Sequence, residues 1–193
     1  MKLFGVEHRP WSNRLRLLAF LTGAALILVM MINQYLTTPE APQIITSYQL
    51  AGNPEQAQEI HEAWERDGGI WPRMSLILDL GFIALYAAFL VTLTNHFLID
   101  RPGVREQKAG RLAKALFIFG AAADMAENLL LLAAISNPQS PTLPLSAAVA
   151  TLGKFTGLIL GAGGLLIVRA ARRHPVQPED WHAEHKQSRY ERR

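Results

Sequence analysis

Four apolar blocks dominate this chain, at about residues 17–36, 74–98, 112–135 and 145–168. A helix rising ~1.5 Å per residue needs about 20 residues to cross ~30 Å of hydrocarbon, so each block has the length of one crossing. Lipid offers no partner to backbone N–H and C=O groups, and a helix satisfies them internally. The expected fold is therefore all-α: a polytopic membrane protein, with an antiparallel bundle of four transmembrane helices forming one domain over residues 1–193. The first block reads as a span rather than a cleaved signal peptide. Its apolar run is long, and Thr38-Pro39-Glu40-Ala41-Pro42 makes a poor small-residue cleavage site.

The Lys and Arg residues set the orientation. Sixteen lie in the N-terminal tail, in the connection between the second and third blocks with the start of the third, and in the C-terminal tail. The 37–73 connection holds two, Arg66 and Arg73, and the 136–144 connection holds none. By the positive-inside rule both termini are expected in the cytoplasm and the 37–73 loop outside. The formal charge of +3 and pI of about 9.4 are thus a membrane signature, and no nucleic-acid partner is expected. The chain has no cysteine, which excludes dithiol relays, Fe–S clusters and disulfide staples.

The outer loop carries its own helix signal. Asn53-Pro54-Glu55 reads as an N-cap, a proline at the first helical position and an early acidic residue, and Gly68-Gly69 supplies the stop. Ala57, Ile60 and Trp64 fall on one face, and Glu55, Glu59, Glu62 and Glu65 on the other. This short amphipathic helix is expected to cap the bundle or lie in the interface, with Trp64 as anchor. The 136–144 loop is short and proline-rich, so the third and fourth spans should be antiparallel neighbours. The tail after Arg169 is polar and basic, suited either to disorder or to the anionic inner leaflet through its Arg residues and Trp181.

The residues most able to carry chemistry are the ionisable ones inside the spans: Asp79, Asp124, Glu127 and Lys154. Charge at such depth is costly unless paired or hydrated, so it marks a site. From the outer side Asp79 lies at ~8 Å, Glu127 and Asp124 at ~12–17 Å and Lys154 at ~14 Å, heights that agree across three helices. Asp124, Glu127 and Asn128 are spaced i, i+3 and i+4 on one face of the third span. Ser75, Asp79 and Tyr86 share a face of the second. In the fourth, Gly153, Gly157 and Gly161 form a small-residue stripe for close helix packing, and Lys154 borders it. Lys154 is expected to reach the third-span carboxylates. Glu127, with its longer side chain and matching depth, is the favoured partner. Three carboxylates and one ammonium leave two negative charges over, which a proton or another bound cation would neutralise.

Other chemistries find little support. His96 sits at the cytoplasmic end of its span as an interface residue, and no two histidines lie at matched depth for a bis-His haem. An all-oxygen cluster suits Ca²⁺ or Mg²⁺ better than Zn²⁺ or Cu, and no resident metal or cofactor is expected. Ser75 and Ser146 have no histidine base. The glycines at 157–164 belong to packing rather than to a phosphate loop.

Leu50-Ala51-Gly52-Asn53-Pro54-Glu55, then Trp64, Asp79 and Asp124-Met125-Ala126-Glu127-Asn128, form a recurrent plan over roughly residues 44–135. It resembles small four-span bacterial membrane proteins with an Asp-x-x-Glu-Asn motif in the third helix, a group with no assigned activity. The resemblance implies this topology and a bacterial inner membrane, and no reaction. Three roles stay open on the residues themselves. The chain is a binding or accessory protein whose cluster holds a proton, a cation or a small amphipathic ligand; a membrane enzyme doing acid–base chemistry on a lipid-like substrate; or a structural subunit of a larger membrane complex, docking through its small-residue face. The lipid bilayer is a partner in all three.

Overall fold

The computed structural model describes residues 10–171 apart from positions 44, 50–53, 67–68, 100, 102, 138–139 and 141. These residues form α1 (Asn13–Asn33), α2 (Ile45–Gln49), α3 (Pro54–Arg66), α4 (Ile70–Leu98), α5 (Val104–Ser136) and α6 (Thr142–Ala170), with a 3₁₀ turn Gln34–Leu36 after α1 and no strand among them. Four helices, α1, α4, α5 and α6, are long and apolar enough to cross a membrane. The Asn53 cap, Gly68, the 50–53 part of the recurrent plan and the tail from 172 lie outside the described residues.

The helices outrun the apolar blocks. α4 begins at Ile70 instead of 74, α5 at Val104 instead of 112, and α6 at Thr142 instead of 145; α1 runs 13–33 where 17–36 was expected. Hydrophobicity marks where a helix meets lipid, whereas backbone hydrogen bonding continues through polar flanks such as Arg105, Glu106 and Lys108. The starts have local causes. Ser12 caps α1 by accepting from the Leu15 N–H at 3.3 Å. Pro72 and Pro144 sit in the first turns of α4 and α6, where a missing N–H costs nothing. Gly69, at φ 62°, turns the chain between α3 and α4, and its N–H returns to the Trp64 carbonyl at 3.1 Å.

The spans pack in chain order. α1 lies along α4, α4 along α5 and α5 along α6, the last being the most extensive contact; α4 and α6 touch sparingly, and α1 makes no extensive contact with α5 or α6. A glycine seam explains the α5–α6 intimacy. A Cβ at Gly157 would lie 2.7 Å from Gly120 Cα and 2.8 Å from the Leu116 carbonyl, and one at Gly161 would lie 2.7 Å from the Phe117 ring. Gly153 opposes Ala123 at ordinary contact distance. All three expected stripe glycines therefore face α5, and backbones approach where side chains would forbid it.

α2 and α3 close one end of the bundle. Trp64 of α3 is 3 % exposed and donates its indole N–H to the Leu36 carbonyl at 2.9 Å. Tyr48 tilts against it at a 5.3 Å centroid distance. With Ile60 and Ala57 they form an apolar core continuous with Leu76, Leu131, Ile135 and Ala147 of the spans. The amphipathic helix thus caps the bundle rather than floating beside it.

Candidate functional site

The site starts with helix periodicity. Asp124, Glu127 and Asn128 lie on adjoining parts of one α5 face, and all three are buried. Asp79 and Tyr86, two turns apart on α4, approach that face from one side. Lys154 of α6 approaches from the other, brought close by the glycine seam.

The contacts join all six expected residues in one layer. Lys154 Nζ donates to Asp124 Oδ1 at 3.0 Å and stands 2.8 Å from Glu127 Oε2, the second an ion contact without hydrogen-bond direction. The lysine thus bridges both carboxylates instead of selecting Glu127. Tyr86 donates its hydroxyl to Asp124 Oδ2 at 2.8 Å. Asn128 Nδ2 donates to Asp79 Oδ2 at 2.8 Å. Ser75, expected on the Asp79 face, turns instead to α1 and donates to Asn33 Oδ1.

This polar layer lies between two apolar ones. Toward the capped end are Leu76, Leu131 and Ala147; toward the other end are Ile83 and Ala121, packed with the Tyr86 ring, Leu80 and Leu158. Coulomb interactions between such groups are far stronger than in water. Glu127 and Asn128 are both 0 % exposed, and Glu127 Oε1 and Asn128 Oδ1 have no hydrogen-bond donor within the described chain. Thr151 lies beside Glu127, yet its hydroxyl donates to the Ala147 carbonyl at 3.0 Å. Asp79 and Lys154 are only partly buried, and the Lys154 ammonium lies 5.3 Å from the Phe155 ring. Among the described residues no three His, Cys, Asp or Glu side chains gather as a metal-binding set.

Sequence reasoning missed two residues. Thr151 sits one turn before Lys154, a spacing that places it on the same face. Arg101, counted only as an orienting charge, is 2 % exposed and donates to the Phe97, Arg169 and Ala171 carbonyls, closing the ends of α4 and α6. Nothing in its neighbourhood distinguishes it from exposed Arg105. His96 is half-buried beside the Phe97 ring.

Comparison with protein-family models, curated proteins and solved structures finds no match to this chain.

Proposed function

We propose that this membrane protein is a binding or accessory protein of a bacterial inner membrane, with both ends in the cytoplasm, whose intramembrane cluster takes up a small cation. One observation carries the reading: a layer bounded by apolar side chains holds three carboxylates and one ammonium, which reaches Asp124 and Glu127 while Asp79 meets only the Asn128 amide, and the buried oxygens Glu127 Oε1 and Asn128 Oδ1 lack donors. Unbalanced charge at that depth is costly, and so is a buried acceptor without a donor. A proton on a carboxyl oxygen, a monovalent metal ion or an organic cation relieves the charge. The orientation rests on the sixteen-to-two distribution of Lys and Arg. The bacterial setting rests on the Asp-x-x-Glu-Asn plan.

The test is infrared spectroscopy of the protein in lipid at neutral pH, paired with equilibrium binding of radioactive Na⁺. A protonated-carboxyl band, or saturable Na⁺ uptake, lost in Glu127→Gln or Asp79→Asn is the expected result. A wild-type protein that shows neither, and that takes up no organic cation, would leave the cluster as a structural lock between helices.

A further inference from the structure

We infer that the cation taken by this layer is a lipophilic ammonium, a protonated primary or secondary amine on an apolar frame, which enters sideways from the bilayer. The inference rests on the cation-binding reading above and names the ligand class.

The unpaired chemistry is one-sided. The Asn128 amide faces Asp79, the Tyr86 hydroxyl faces Asp124 and the lysine lies between Asp124 and Glu127, so these donors are engaged. The buried atoms left over, Glu127 Oε1 and Asn128 Oδ1, are both acceptors. A fitting ligand therefore brings N–H donors as well as positive charge. Among the described residues no three carboxylates gather as a metal-binding set, so the layer does not offer the closed shell of oxygens that a bare ion needs, whereas an ammonium is held by hydrogen bonds to fewer acceptors.

The route follows from the layers. Along the bundle axis the cluster is shut by apolar side chains on both sides. Sideways, α4 and α6 touch sparingly and α1 does not cover α6. The partly exposed groups of the cluster are Asp79 and Lys154, one on each of those helices. Aromatic rings border it: Phe155, 51 % exposed and 5.3 Å from the lysine nitrogen, and Phe82, edge-on to Tyr86. Aromatic faces attract desolvated organic cations. A molecule that dissolves in hydrocarbon, carries charge at one end and donates hydrogen bonds meets each of these conditions.

The test uses the full chain in phosphatidylcholine nanodiscs with dodecylammonium as probe, dodecyltrimethylammonium as the analogue without N–H donors, and empty nanodiscs to subtract partitioning. The expected result is saturable dodecylammonium binding, weaker by about tenfold or more for the trimethyl analogue and reduced to a similar degree in both Glu127→Gln and Asp79→Asn. Two substitutions on different helices guard against one variant that fails to fold, and circular dichroism reports the helix content of each. Uptake equal to that of empty nanodiscs, or equal affinity for the two amphiphiles, overturns the amine assignment. If Na⁺ uptake or a protonated-carboxyl band is nevertheless present and lost in Glu127→Gln, the cation site stands without this ligand class. If none of the three cations is held, both readings fall.

Discussion

Lys154 and Asp124 are 30 positions apart in the chain and meet at 3.0 Å, with Glu127 Oε2 a further 2.8 Å contact on the same ammonium. One cation therefore serves two carboxylates. Replacing it by methionine leaves both without that partner, and breaking a buried pair typically costs about 3–5 kcal/mol. Lys154→Met is expected to lower thermal stability strongly, and Asp124→Asn or Glu127→Gln on that background should each restore part of the loss. Double-mutant cycles should give coupling of about 0.5–3 kcal/mol for both pairs. Additivity in both cycles would remove Lys154 from the network.

The α5–α6 seam makes a sharper steric prediction. The atoms that a Cβ at Gly157 would meet at 2.7–2.8 Å are backbone atoms of Gly120 and Leu116, which cannot rotate away. Even Gly157→Ala should destabilise, by about 1–3 kcal/mol, because overpacking forces backbone shifts. Gly163, in the same helix, has nothing within 4 Å of such a Cβ. Gly163→Ala should match or slightly exceed wild-type stability, since alanine favours helix. Equal melting of the two variants in detergent would contradict the seam.

These two cases show how far the sequence reaches. Period and depth put Asp79, Asp124, Glu127 and Lys154 at compatible heights, because a straight helix turns residue number into position. The glycine stripe was legible for the same reason. Partner choice was not: whether an ammonium meets one carboxylate or two depends on ångström-level placement that spacing does not determine. Ser75 shares the Asp79 side of α4 in projection, but α1 packs there and captures its hydroxyl. Arg101 was unreadable because its burial depends on the ends of α4 and α6 converging on one guanidinium, with Ala171 70 positions further along the chain.

Tyr48 gives the capped end a pH dependence. It is 2 % exposed, and burial pushes its hydroxyl from the ordinary 10.0 up to about 12. The folded value lies above the unfolded one, so the contribution is fully present below pH 10 and is lost as pH rises from 10.0 toward about 12. The loss is on the order of 2–3 kcal/mol across that window. Emission from Trp64, whose ring lies 5.3 Å from Tyr48, should report loosening of the cap, and Tyr48→Phe should flatten the slope. A wild-type slope in Tyr48→Phe would assign the effect elsewhere.

Orientation can be read directly. Single cysteines at exposed Glu59 and at Ser188, in a chain with no native cysteine, should react oppositely with an impermeant maleimide on intact cells. Glu59→Cys should label and Ser188→Cys should not. The reverse pattern would overturn the charge argument.

Arg101 is expected to hold the uncapped end together. Its guanidinium donates to the Phe97 carbonyl of α4 and to the Arg169 and Ala171 carbonyls, at 3.0 and 3.4 Å, at the end of α6. Its own carbonyl accepts from Gln107 Nε2 of α5 at 3.0 Å, so one residue links the ends of three helices. The last carbonyls of a helix have no intrahelical donor, and a positive charge there also favours the helix dipole. Lysine would keep the charge but not the planar fork of donors, so it cannot reach both helix ends at once. Arg101→Met and Arg101→Lys should both destabilise, by about 1–3 kcal/mol in all, because the part-buried carbonyls lose their donors. Amide exchange should quicken at the ends of α4 and α6 while the glycine seam keeps its protection. Arg105→Met, at an exposed position in the first turn of α5, serves as control and should melt like wild type. If Arg101→Lys also melts like wild type, charge alone suffices and the three-carbonyl cap is not what secures this end.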